Sequence, residues 1–144
     1  MEIYLNDGTL FVPNKKELFE ILFFLRGVFA PESFDRMFAD DYGMRMLLVE
    51  NLSKPFAYME LLSGIYDEKN SKMPNLIKTA NEVEMFSFND CALYMVYYLR
   101  LALRQSAGET FIKLWTDGTI DKILDKMIFE YNNQYMEFDF SAYN

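Results

Sequence analysis

Acidic side chains are the first residues in this sequence whose spacing suggests chemistry. Asp117, Asp121 and Asp125 recur every fourth residue, which sets three carboxylates along one side of a helix. Such a file can hold a cation or meet a basic protein surface. Lys122 and Lys126 are interleaved with it, so a solvated charged face is the simpler reading. Glu137 and Asp139 carry the acidic character into the last stretch of the chain. With Glu130 they raise a sharper idea, mimicry of nucleic acid, which requires all six carboxylates to share one surface.

Tyr94, Tyr97 and Tyr98 form the second set, at i, i+3 and i+4. Tyrosine is favoured where proteins meet partners, yet the same spacing is what any buried helical stripe produces. The candidate partner-binding residues are therefore Asp117, Asp121, Asp125, Glu137, Asp139, Tyr94, Tyr97 and Tyr98. No residue is assigned to catalysis, to a cofactor or to a metal.

Other chemistry finds less support. Glu50 and Glu60 sit within apolar segments and would have raised pKa values if buried; an outward position on an amphipathic helix is the simpler reading. Asp40-Asp41 lacks further oxygen ligands in register for a metal loop. Asn6-Asp7-Gly8 lacks the repeated glycines of a phosphate cradle and reads as a turn. The chain has no histidine, which removes Ser-His-Asp and Cys-His nucleophiles, imidazole bases and histidine-containing zinc sites. Cys91 is the single cysteine, so no intrachain disulfide forms, and a buried structural thiol is expected. There is no phosphate-binding loop, dinucleotide glycine fingerprint, GxSxG or CxxC.

The elements that would position these residues follow from pattern and punctuation. At 144 residues with 51% hydrophobic content, the chain is expected to fold as one globular domain, 1–144. Aromatic residues make up 17%, so ring contacts should dominate the core. The organising element is an apolar helix over about 88–106. Ser87 and Asp90 have capping-box spacing, and Gly108 follows as a stop. Around it the sequence predicts five to seven helices, a mainly α (α+β) fold.

Glu2 to Val12 reads as an N-terminal β-hairpin. Asn14 and Glu17 cap a helix ending at Gly27, expected to pack on the hairpin and the central helix. Pro31 opens a helical turn with Phe34, Met37 and Phe38. Gly43–Leu52 and a segment from Phe56 to about Tyr66 read as two helices broken at Lys54-Pro55. Asp67 to Asn75 is a loop, and Leu76–Phe86 a helix with Ile77, Ala80 and Val83 inward and Met85 as a further candidate. Glu109–Trp115 fits a strand or a short helix; the helix is preferred because it needs no new sheet. Ile120, Ile123, Leu124, Met127 and Ile128 give the next helix its apolar face. Tyr135–Tyr143 alternates like a strand, which could extend the hairpin or form an acidic-aromatic docking tail.

Function is constrained mainly by exclusion. The net charge of −8 disfavours nucleic-acid backbones and anionic membranes and suits a protein partner with a basic surface. Neither a secretory signal nor a stretch of about 20 apolar residues is seen, so a cytoplasmic protein is expected. The leading reading is a small acidic protein-binding module: an inhibitor, an antidote or immunity protein, or a phage- or plasmid-type accessory protein. The alternatives are a small-molecule binder or histidine-free enzyme lined by Tyr94, Tyr97 and Tyr98, and a structural subunit acting as a homo-oligomer.

Overall fold

The computed structural model describes residues 3–4, 8–35, 42–63, 80–103 and 108–135. The fold is mainly helical. Its only strand pairing among the described residues is a two-residue antiparallel ladder, β1 (Ile3–Tyr4) with β2 (Leu10–Phe11), Ile3 opposite Phe11 and Tyr4 opposite Leu10. The expected hairpin is thus shortened to its minimum. Gly8 has φ +86°, a conformation open to glycine at little cost. Phe11 packs edge-on against Tyr58 at 5.7 Å, tying the ladder to the helical body.

Helix α1 (Lys15–Val28) starts where Asn14 accepts the Glu17 N–H on its side-chain oxygen at 3.0 Å, as the sequence predicts. Leu18, Ile21, Leu22, Leu25 and Val28 form its buried stripe. Gly27 lies inside the helix instead of ending it. The last turn closes through Phe29, whose N–H donates to the Leu25 carbonyl at 2.8 Å. A 3-10 turn over Pro31–Ser33 follows. There the Ser33 hydroxyl donates to the Gly27 carbonyl at 2.9 Å.

Helix α2 runs unbroken from Tyr42 to Ser63, with Pro55 inside it. The predicted pair of helices is therefore one. An interior proline costs about 3 kcal/mol through a missing N–H and a ring clash. Leu52, Met59 and Leu62 are fully buried on the same helix, at roughly 1.5–3 kcal/mol each, and α2 packs most extensively on the central helix. Tertiary packing outweighs the local breaker.

The central helix α3 (Phe88–Leu103) begins with the capping box read from the sequence. The Asp90 N–H donates to Ser87 Oγ at 3.1 Å, and the Ser87 N–H donates to Asp90 Oδ2 at 3.0 Å. Residues from Cys91 to Ala102 are buried almost all round, as expected of a core helix. Before it, the described part of the predicted helix is a 3-10 segment, Ala80–Met85; 76–79 lie outside the described residues. Val83 points inward, but Met85 is 87% exposed.

Helix α4 (Glu109–Thr116) settles the helix-or-strand alternative: Phe111, Leu114 and Trp115 are buried on one helical face. Gly108 sits at its N-terminal cap position with extended backbone. Asp117-Gly118 turns the chain, with Gly118 at φ +84°, into α5 (Thr119–Tyr135). Because α5 continues through Tyr135, the predicted strand cannot start there; 136–143 lie outside the described residues. So do the Met37-Phe38, Asp40-Asp41 and 67–75 features. Helix α1 packs against α5 more than against the predicted central helix.

Candidate interaction face

The tyrosines are placed in the interior. Tyr94, Tyr97 and Tyr98 are all at most 2% exposed. Tyr98 stacks on Phe111 at 4.5 Å with its hydroxyl donating to the Phe111 carbonyl at 3.0 Å. Phe29, Phe34 and Trp115 complete this knot, with Phe29 and Trp115 4.9 Å apart and Phe34 and Trp115 5.4 Å apart. The indole N–H donates to the Ala30 carbonyl at 3.0 Å. Burial raises the pKa of Tyr98 and Tyr94. Tyr97 lies under the Arg100 guanidinium at 5.0 Å. These are folding contacts, not a surface.

Cys91 is buried, and desolvation, with Asp90 adding to it, pushes its thiol up to about 12. That leaves essentially no thiolate at neutral pH. Glu50 is exposed and Glu60 half-buried. Among the described residues no group of acids and cysteine is arranged to hold a metal ion, and no helix is long and apolar enough to cross a membrane.

The aspartate file is divided. Asp117 belongs to the turn before α5, where Oδ1 accepts the Thr119 N–H at 2.9 Å. Asp121 and Asp125 both face Arg26 of α1, at 3.9 Å and 2.9 Å. One guanidinium thus serves two carboxylates across the seam. Asp121 has a raised pKa, first through desolvation and then through Asp125, with Arg26 acting against both. Glu130 pairs with Lys126 at 2.9 Å, both side chains only about a fifth exposed. At roughly 100° per residue, Glu130 is about 140° around the helix from Asp125. The described carboxylates therefore do not form the continuous face that nucleic-acid mimicry requires. Glu137 and Asp139 lie outside the described residues.

What the sequence reading missed is aromatic. Phe23 on α1 and Phe129 on α5 are each 56% exposed. The two helices run antiparallel, since Arg26 meets Asp125 while Phe19 meets Tyr131 at 5.7 Å. Phe23 lies one turn before Arg26 on α1, and Phe129 one turn after Asp125 on α5. Phe23 also leans edge-on against Phe19 at 6.2 Å, and the Lys126 ammonium lies 5.5 Å from the Phe129 ring. A shallow, mostly apolar groove of about 210 Å³ adjoins Phe129. Val83 and Glu84 of the 3-10 segment form one wall; Lys122, Asp125, Lys126 and Phe129 of α5 form the other. The available signal was phase. Phe129 follows Ile120 by nine residues, roughly half a turn away from the buried stripe.

Compared with known protein families, curated proteins and solved structures, the chain finds no match.

Proposed function

We propose that this chain is a protein-binding module whose contact face is the outer side of α5, where it borders the groove shared with the 3-10 segment. The observation that carries the reading is Phe129, a phenyl ring held mostly in water beside an apolar groove. Phe23 on α1 and Met85 on the 3-10 segment are further exposed apolar side chains. An aromatic centre with a charged rim is the composition of a protein-contact patch. The rim holds Arg26, Lys122 and Lys126 as well as Asp121, Asp125 and Glu84, so the face suits a partner of mixed charge. A cytoplasmic setting belongs to this reading, since a single cysteine permits no intrachain disulfide.

The test compares the tagged full chain with its Phe129→Ser variant, each incubated in native cell extract and washed at moderate salt. A defined protein retained by the wild type and lost from the variant is the expected result. Equal retention by both, or retention of nothing, overturns the assignment.

A further inference from the structure

We draw no further inference here: the strongest candidate, the shallow apolar groove between α5 and the 3-10 segment Ala80–Met85, belongs to the contact face already described, and nothing in the structure shows what covers it.

Discussion

The aromatic knot around Trp115 and the exposed aromatic residues of α1 and α5 use the same kind of side chain in opposite ways. In the knot, Phe29, Tyr98, Phe111 and Trp115 are at most 2% exposed, and the Tyr98 hydroxyl and the indole N–H each reach a backbone carbonyl. On the outside, Phe23 of α1 and Phe129 of α5 stand more than half in water, and the charges beside them pair at the surface. The chain divides its aromatic residues between two uses. One group fixes the fold by excluding water, and the other leaves apolar surface available for contact.

Substitutions should separate the two regions by magnitude. Trp115→Ala should have the largest effect, a loss of about 3–5 kcal/mol, because it empties the centre of the knot and strands the Ala30 carbonyl. Urea unfolding followed by circular dichroism would measure it; a change below about 1 kcal/mol would mean that the knot does not hold the fold. Tyr98→Phe keeps the ring but removes the donor to the buried Phe111 carbonyl. It should cost about 1–3 kcal/mol, read from the urea midpoint.

Effects at the seam should be smaller. Arg26→Gln removes a cation from half-exposed pairs, so stability should fall by no more than about 1 kcal/mol. The same change should raise the Asp121 pKa further, since Arg26 holds it down, and carboxyl NMR titration would show the shift. The smallest effect is a pH dependence. A carboxyl whose folded pKa is raised binds its proton more readily in the native state. Its stabilising contribution is present below the unfolded value, about 3.9, and is lost as pH rises through the folded one. Asp121→Asn should therefore lose less stability than the wild type between about pH 4 and 7, in urea midpoints taken across that range.

How much of this was legible in the sequence depended on the reach of each interaction. Ser87 with Asp90 and Asn14 with Glu17 act over three residues, so the starts of α3 and α1 could be read directly. At α4 the spacing left two readings open, since Phe111 and Trp115 fit a helix while Thr110, Ile112 and Leu114 fit a strand; burial of Phe111, Leu114 and Trp115 on one face decides for the helix. The continuity of α2 through Pro55 was not legible, because the burial that sustains it comes from the central helix. Met85 was an inward candidate because periodicity in a short segment does not distinguish an α-helix from a 3-10 turn. Arg26 and Asp125 are far apart in the chain, so nothing local announced that α1 would neutralise part of the aspartate file. Phe23 and Phe129 were hidden for the opposite reason: apolar residues in a helix are ordinarily counted toward its buried side. Only their phase against Leu22 and Ile120 marks them as outward.

If α5 holds the fold on one side and offers a contact face on the other, Phe129→Ser separates the two roles in two quantities measured on one preparation. The first is the urea midpoint by Trp115 fluorescence. The second is retention of an extract protein at moderate salt. An unchanged midpoint, within about 0.5 kcal/mol, together with loss of the retained protein is the predicted result. A midpoint that falls by several kcal/mol, or retention that persists unchanged, would contradict the division.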